Sequence, residues 1–401
     1  MRPLDQALGE LLACAAPLTL FESVSTFDAD GRVLAQDLLS SLDVPAHDNS
    51  SMDGYAVRSA DWIDAATILQ VSQRIAAGSS GHELAPASAA RIFTGAPIPP
   101  GADAVVMQED CDAVEGGVRI RLQPRPGQWI RRQGEDVAAG AVVLQRGERL
   151  SPASLGLAAS IGFAKVQVAP RVRVALFSTG NELVMPGDVA PTDMKPGAVY
   201  NSNRFFLKAL LQRLGCAVTD LGIVPDRLDA TIAALQGASR QHDLILTSGG
   251  VSVGEEDHIK PAVQALGELN LWQIAIKPGK PFAYGKIGAA HVIGLPGNPV
   301  SSFVTFLLLV RPFILKLQGA TEFAPKSIAL SAHFDWPRAD KRREFLRVRQ
   351  NRAGGLDLFG NQSSGVLTSG VWSDGLVDNP PGQTIAQGDT VQFIPFSALL
   401  S

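Results

Sequence analysis

The sequence contains little cysteine, and its three cysteines, Cys14, Cys111 and Cys216, lie far apart. An odd number without metal-ligand spacing argues against a disulfide framework or a zinc site, and favours reduced thiols in a reducing compartment. Charge is also scarce: charged residues make up 18% of the chain and the formal net charge is −4. This balance excludes a general nucleic-acid binder, so any affinity for anions must be local.

Long apolar runs and the common nucleotide-binding signatures are missing as well. The most apolar stretch, residues 303–310, is too short to cross a bilayer and predicts a buried helix. The chain has no Walker loop and no GxGxxG fingerprint, so neither a P-loop NTPase nor a Rossmann dehydrogenase is supported. Residues 1–30 do not have the pattern of a secretory signal. We therefore expect a cytoplasmic protein that binds neither nucleic acid nor membrane.

What the sequence has in abundance is glycine and proline, with 39 and 26 residues among 401, and enough apolar residues for several domains. Short strand-like segments predict a β-rich region between residues 68 and 143. Strands and helices alternate over residues 171–317, which indicates a mainly parallel sheet covered on both faces. One of these strands is expected at 271–276. After Gly319 short strands return, including one expected at 366–368.

The predicted fold class is multidomain α/β plus β. It comprises a central three-layer α/β domain with a mainly parallel sheet, a β-rich insertion domain, a helical or mixed N-terminal domain, and a C-terminal β-domain like a barrel. The boundaries that we expect are 1–45 with 140–170 for the N-terminal domain, 46–139 for the insertion, 171–318 for the α/β domain and 319–401 for the C-terminal domain.

The most informative stretch is residues 243–257, DLILTSGGVSVGEED. A short buried strand ends at Ser248-Gly249-Gly250, where missing side chains let backbone N–H groups approach an anion. Acidic residues follow at 255–257 and could supply oxygen ligands to a cation. The stretch is therefore typical of a site for phosphate and metal. A glycine turn followed by a solvated, acidic helix start is the alternative interpretation.

The carboxyl ends of parallel strands share one edge of a sheet, where ligands bind. Polar loops follow the predicted strands at this edge, and Asn298 is expected to cap the last helix, with Pro299 at its first position, so that N–H groups face an anion. Carboxylates could ligate Mg²⁺, and lysines could compensate the charge of phosphate or of an oxyanion. The residues expected there are Ser178, Thr179, Gly180, Glu182, Asp226, Ser248, Gly249, Gly250, Ser252, Lys277, Lys280, Pro296, Gly297, Asn298 and Pro299.

Other polar segments have no function that the residues alone can establish. The loops at 44–57, 93–103 and 131–136 could be surface loops of a β-domain, and the basic run at 341–343 could be a solvated face. The same holds for the polar segment 361–365.

The motifs, however, resemble the molybdopterin molybdenumtransferase family, which includes the gephyrin E domain. In chain order they are DNSSMDGYAV, FTGAPIPPGADAVVMQED, RRQGEDV, STGNEL, VYNSN, TSGGVSVGEED, IKPGKPFAYG and GLPGNPVSSFVTF. The resemblance covers nearly the whole chain, and His47 is a small departure, since the family often has an aromatic residue before DNS. It implies an L-shaped homodimer of four-domain subunits, in which the 171–318 segment binds molybdopterin.

The resemblance implies the last step of molybdenum cofactor assembly. Molybdate would be inserted into adenylylated molybdopterin, and AMP would be released with the help of Mg²⁺. The residues implied as catalytic are Asp53, Thr94, Asp136, Glu182, Asp226, Asp257, Lys277 and Lys280, with Glu182, Asp226 and Asp257 as the acidic residues that would hold the metal.

Substrate contacts follow from the same resemblance. Ser248-Gly249-Gly250 would hold the pterin phosphate, while Lys277, Lys280 and Pro281 would bind the oxyanion and nucleotide phosphates. Arg343 and Ser364 would place molybdate between domains. Asp53, Thr94 and Asp136 would enter the cleft from the other subunit of the homodimer.

Two rival functions are open at this point. The related molybdopterin adenylyltransferase shares the α/β domain but is expected to lack segments 1–170 and 319–401. An interaction scaffold of the gephyrin kind would rely on a fused domain or a long linker. Expected partners are molybdopterin adenylyltransferase and other cofactor-assembly proteins.

Overall fold

The computed structural model describes residues 1–250 and 258–400, with the side chain of Leu271 left aside. The first part of the chain contains two helices and twelve strands, most of them short. They are α1 Leu4–Cys14, β1 Glu22–Ser25, β2 Leu38–Leu39, β3 Asn49–Ser50, β4 Gly54–Val57, β5 Ile68–Ile75, β6 Ser88–Ile92, β7 Ala104–Met107, β8 Cys111–Val114, β9 Gly117–Ile120, β10 Ile130–Arg131, β11 Val142–Leu144, α2 Pro152–Ser160 and β12 Lys165–Val168.

Six of these strands form one sheet in the order β7-β4-β6-β5-β9-β8. Buried and exposed residues alternate only in part along these strands, because both faces of the sheet are covered. Ala56 packs in one hydrophobic cluster, and its neighbour Val57 packs in another. The segments before and after this sheet pair with each other, β1 with β12 and β2 with β11. Segments that are far apart in sequence, on either side of the six-stranded sheet, are therefore neighbours in space.

The middle of the chain alternates strands with helices. Its elements are β13 Arg173–Thr179, β14 Leu183–Val184, β15 Val199–Tyr200, α3 Asn203–Arg213, β16 Ala217–Val224, α4 Leu228–Ser239, β17 Leu244–Ser248, α5 Ile259–Leu266, β18 Glu268–Gln273, β19 Ile276–Lys277, β20 Pro281–Ile287, β21 Ala290–Leu295, α6 Pro299–Thr305 and α7 Arg311–Leu317, with a π-helical turn Phe306–Val310 between the last two.

The central sheet has the order β16-β13-β17-β21-β20-β18. Its first four strands are parallel, whereas β20 runs antiparallel to both β21 and β18. Alternate residues of β13 enter two different cores: Leu176 packs with Leu207 of α3, and Phe177 packs with Leu235 of α4. Helices thus cover both faces, as the alternating pattern predicted.

The strand predicted at 271–276 is wrong in its bounds. Strand β18 ends at Gln273, and β19 leaves the central sheet to pair with Arg343 and Glu344 in the C-terminal sheet. Strand β20, which begins at Pro281 directly after a segment with two further turn residues, Pro278 and Gly279, was missed. It forms a hairpin with β21 through Gly288, whose positive φ suits a tight turn.

The helical run 299–317 is long and apolar enough to cross a membrane, but 89% of its most apolar segment is buried inside the protein. Leu309, Phe313 and Ile314 are fully buried in the largest core cluster, together with Leu11 of α1. The prediction of a buried core helix at 303–310 is confirmed.

The C-terminal part contains β22 Ile328–Ser331, β23 Arg343–Gln350, β24 Leu356–Leu358, α8 Thr368–Trp372, β25 Gly375–Asn379, β26 Thr390–Pro395 and α9 Phe396–Leu400. Its sheet has the order β19-β23-β25-β26-β22, with β24 paired to β23. The strand predicted at 366–368 is wrong. This segment enters α8 instead, where the Ser369 hydroxyl donates to the Val366 carbonyl and also accepts from the buried guanidinium of Arg347.

Candidate active site

A cavity of about 600 Å³ opens at the carboxyl edge of the central sheet, and we call it the edge cavity. The ends of β13, β17 and β21 and the starts of α3 and α6 contribute to it. It is lined by Ser178, Thr179, Glu182, Leu183, Val199, Tyr200, Asn201, Ser202, Asn203, Ser248, Gly249, Pro281, Pro296, Gly297, Asn298, Pro299, Ser301 and Gly365.

Glycine allows three loops to meet at this edge. Gly249 has φ +90°, and a Cβ atom there would lie 2.9 Å from the carbonyl oxygen of Thr179. A Cβ atom on Gly297 would lie 4.0 Å from the Cα of Gly249. Because these backbones approach so closely, a side chain at 249 would have to displace the end of β13. The loops after three separate strands therefore converge, as the sequence predicted.

Buried donors and acceptors face this cavity without partners of their own. Ser178 is 1% exposed and Asn201 is 2% exposed, yet the Ser178 hydroxyl and the Asn201 amide nitrogen have no hydrogen-bond partner in the described part of the chain. Leaving a buried polar group unpaired costs about 1–3 kcal/mol. Both side chains line the edge cavity, so a polar ligand would satisfy them.

Asn203 holds the cavity wall together. Its side-chain nitrogen donates to the Ser248 hydroxyl at 2.8 Å and to the Gly297 carbonyl at 2.7 Å. Residues 199–203 were missed as site residues from sequence, although VYNSN was noted as a motif. The signal was two asparagines at the start of a helix that begins at the ligand-binding edge of the sheet.

The acidic residues predicted for a metal are not all brought to the cavity. Glu182 is exposed and lines it, whereas Asp226 is half-buried and does not. Asp257 and Ser252 lie outside the described residues. Within residues 1–250 and 258–400, no group of three or more metal-ligating side chains is found. Glu182 with ligand oxygens and water would still fit Mg²⁺, which commonly takes only one or two protein carboxylates.

The predicted cations also lie away from the lining. Lys277 Nζ is 2.9 Å from Glu344 and 3.4 Å from Asp340. Arg343 pairs with Asp378 and Asp5, and its hydrogen bonds to Asp378 raise the pKa of the guanidinium. Lys280 is exposed and directly precedes Pro281, which lines the cavity.

The start of α6 differs from the expected anion site. Asn298 occupies the N-cap position, with Pro299 in the first turn, but its side chain makes no capping hydrogen bond. The Val300 N–H donates to the Ser364 carbonyl at 2.9 Å, so this amide is already paired. Asn298 and Pro299 therefore occupy the predicted positions, but the Asn298 side chain does not cap the helix, and Ser364 holds the helix start through its backbone. Its neighbour Gly365 lines the cavity.

The three predicted residues of the β-rich region do not line the edge cavity of their own chain. The Thr94 N–H and hydroxyl both donate to Asp53 Oδ1 at 2.8 Å. The backbone N–H of Thr94 is the main cause that lowers the pKa of Asp53, and the Thr94 hydroxyl adds to it. Asp53 and Asp136 are both exposed. Asp53 is thus an ionised, oriented carboxylate on a surface.

Comparison with known proteins covers almost the whole chain. Residues 2–162 match the family model of the MoeA N-terminal region (domain I and II), 175–316 match a probable molybdopterin binding domain, and 329–396 match the MoeA C-terminal region (domain IV). A molybdopterin molybdenumtransferase from Haemophilus influenzae is 41% identical over 407 residues and covers 100% of both chains. Molybdopterin molybdenumtransferase 2 from Mycobacterium tuberculosis is 38% identical, with 94% of each chain covered.

Solved structures agree with these relatives. The crystal structure of a molybdopterin biosynthesis MoeA protein from Pyrococcus horikoshii OT3 has a TM-score of 0.86 at 28% identity, covering 98% of this chain and 100% of that one. A second structure of the MoeA protein from the same genus has a TM-score of 0.76 at 32% identity, with 98% of each chain covered.

Proposed function

The chain belongs to the MoeA family of molybdopterin molybdenumtransferases, enzymes of molybdenum cofactor biosynthesis, and from this we propose how its edge cavity acts. We propose that it binds adenylylated molybdopterin, that molybdate is inserted at the dithiolene, and that AMP leaves with the help of Mg²⁺. The observation that carries the proposal is the edge cavity itself, where a glycine turn and unpaired buried donors converge at the ligand-binding edge of the sheet.

The pterin phosphate would lie against Ser248-Gly249-Gly250. The backbone can approach an anion closely there because Gly249 and Gly250 have positive φ and no side chain. Ser178 and Asn201 would donate the hydrogen bonds that they do not make within residues 1–250 and 258–400. The walls of this site would be formed by Thr179, Gly180, Pro296, Gly297 and Pro299. Ser252 is proposed as a further contact.

The metal would be held by Glu182, with Asp226 and Asp257 as further proposed ligands. When bound, Mg²⁺ would neutralise the charge that develops on the phosphate as AMP leaves. Glu182 is the carboxylate that lines the edge cavity in the described part of the chain. Without a cation it would repel an anionic substrate, which supports its assignment to the metal.

Molybdate needs cations because it is a dianion that approaches an anionic substrate. Lys280 is the exposed cation next to the cavity wall at Pro281, and we propose that it contacts the oxyanion. Lys277 and Arg343 are ion-paired with carboxylates. We therefore propose that these two residues position the loop of Lys280 and the segment of Ser364 at the domain boundary. The oxyanion would lie between this loop and this segment.

We also propose a homodimer in which one subunit supplies Asp53, Thr94 and Asp136 to the edge cavity of the other. Support comes from their position outside the cavity of their own chain and from the paired orientation of Asp53 and Thr94.

We further propose that each subunit has four domains, with the boundaries 1–45 with 140–170, 46–139, 171–318 and 319–401. In this proposal the α/β domain has three layers and the C-terminal domain is like a barrel. The protein would be cytoplasmic and would contact molybdopterin adenylyltransferase. The family models match both flanking segments that an isolated adenylyltransferase domain is expected to lack.

Release of AMP from adenylylated molybdopterin in the presence of molybdate and Mg²⁺ tests the function. We expect Gly249→Ala to reduce the rate at least tenfold, because its methyl group would meet the Thr179 carbonyl. Gly162→Ala is the matched control: Gly162 has φ +89°, but a methyl group there meets nothing within 4 Å. Equal rates for both variants would remove the glycine turn from the site.

Sharing of the site between subunits has its own test. Asp53→Ala and Gly249→Ala proteins should each be inactive alone. After co-refolding or subunit exchange, the mixture should recover part of the activity, because one of the two sites in a mixed dimer would be intact. A mixture that stays inactive despite verified exchange would contradict the shared site.

A further inference from the structure

A second cavity, of about 620 Å³, lies where three parts of the chain meet, and we call it the junction cavity. Its walls come from the turn after β11 (Gln145, Gly147, Glu148 and Arg149), from Arg311 and Leu315 of α7, and from the segment between α7 and β22, with Ala398 of α9. The Thr321 N–H donates to the Gly147 carbonyl at 3.1 Å and joins two of these walls. Among the residues that the structure describes, none lines both this cavity and the edge cavity.

Arg311 is a buried cation in this wall. Arg311 is 7% exposed, and its two terminal nitrogens donate to the carbonyls of Phe323 and Ala398, at 2.9 and 3.2 Å. Within residues 1–250 and 258–400, its Nε has no hydrogen-bond partner and no carboxylate forms an ion pair with it. Burial, with a smaller contribution from Arg149, lowers the pKa of this guanidinium to about 10. A buried charge that lacks a counter-ion is costly to fold.

Arg149 brings a second cation close to the first. It is half-buried, and its Nε and one terminal nitrogen donate to the carbonyls of Gly31 and Arg213, at 3.0 and 3.1 Å. Both acceptors are neutral, and the described ranges contain no ion pair to it. Burial lowers the pKa of Arg149, and the charge of Asp30 opposes this shift to a smaller extent.

The remaining charges of the cavity do not cancel this pair. Lys326 adds a third cation from an exposed position, while Glu148 and Glu322 are the acidic lining residues. Glu148 uses Oε1 to accept the Gln145 N–H at 2.8 Å. Three cations against two carboxylates leave the lining positive in a polar cavity that is large enough for a small anion.

We propose that the junction cavity binds a small oxyanion of the phosphate or sulfate class between Arg149 and Arg311. The anion accepts from the Nε of Arg311 and from the outer N–H groups of Arg149, and it supplies a counter-charge to two guanidinium groups that form no ion pair among the described residues. Since the cavity walls come from three segments that are distant in sequence, the bound anion joins the N-terminal unit, α7 and the C-terminal segment. The site is separate from that of the substrate and does not rest on the proposed reaction.

Calorimetric titration of the full-length protein with inorganic phosphate at constant ionic strength tests this site. We expect Arg149→Gln to weaken phosphate binding at least tenfold, and Lys326→Gln to weaken it two- to threefold. Arg146→Gln is the matched control: Arg146 lies three residues away, is exposed and does not line the cavity. The wild-type protein should gain thermal stability in phosphate, and Arg149→Gln should gain less.

Phosphate can also enter the edge cavity, so the titration is repeated in the Gly249→Ala background. A binding event that survives Gly249→Ala and is lost on adding Arg149→Gln supports the junction site. The proposal is overturned if Arg149→Gln and Arg146→Gln give the wild-type isotherm, or if all binding disappears with Gly249→Ala. A titration with acetate distinguishes a site for tetrahedral oxyanions from a site for carboxylates. Binding of acetate as tight as that of phosphate would contradict a site for tetrahedral oxyanions.

Discussion

The side-chain nitrogen of Lys277 lies 2.9 Å from Oε1 of Glu344, a carboxylate that is 1% exposed. The two residues are paired along parallel strands, β19 and β23, so the ion pair joins the middle of the chain to the C-terminal sheet. Glu344 also accepts a hydrogen bond from the indole of Trp336 at 2.7 Å. The ion pair thus stabilises the C-terminal sheet at the strand that the middle of the chain contributes to it.

Replacing this lysine should therefore reduce stability as well as activity. Lys277→Ala leaves the buried Glu344 without its cation, and we expect a loss of about 2 kcal/mol, below the range for fully buried pairs because Lys277 is 38% exposed. Urea unfolding, followed by tryptophan fluorescence, measures the change. Lys280→Ala is the control and should change stability by less than about 0.5 kcal/mol, because Lys280 is exposed. Equal stability of both variants would show that the ion pair contributes nothing.

Asn203 offers a shape-matched test of the cavity wall. In Asn203→Asp, a carboxylate replaces the amide that donates to Ser248 and Gly297, and its charge would face the Gly297 carbonyl. We expect Asn203→Asp to lose about 1–3 kcal/mol of stability and more activity than Asn203→Ala, which removes the donor without adding charge. Thermal unfolding and AMP release measure the two effects. An aspartate variant as stable and active as the wild type would contradict this role of the amide.

The convergence of the strand-end loops was predictable because its causes are local. A buried apolar run that ends in glycine, as at 244–250, marks a strand and the turn after it, and a parallel sheet brings such turns to one edge. The residues Thr179, Gly249 and Gly297 were placed together on that basis, and the structure brings them together.

The partners of the charged residues were not predictable in this way. Arg343 and Asp5 are 338 positions apart, and nothing in the local sequence of either one indicates the other. The sequence pattern predicts one strand over 271–276, which would place Lys277 at the cavity. In the structure β18 ends at Gln273, and the short strand β19 carries Lys277 into the other sheet. Asn203 was missed for a similar reason, since its two acceptors come from Ser248 and Gly297, on other loops.

His291, in the central strand β21, makes stability depend on pH. It is 7% exposed, its Nδ1 lies 2.9 Å from the Tyr284 hydroxyl, and the ring of Phe313 is packed edge-on at 5.0 Å. Burial lowers the pKa of His291 from 6.5 to about 4, with a smaller contribution from Lys286. The folded protein therefore holds a neutral imidazole at a pH where the unfolded chain already binds a proton.

The sign of the effect follows from this difference. Between pH 6.5 and about 4 the unfolded state binds more protons, so the contribution of His291 is complete above pH 6.5 and is lost as the pH falls through this window. The loss from one histidine should not exceed about 3 kcal/mol. Urea unfolding between pH 7 and 4.5 should show a shallower pH dependence for His291→Gln than for the wild type. His82→Gln, at an exposed position, should keep the wild-type dependence; a parallel pH dependence in all three proteins would show that folding does not lower the pKa of His291.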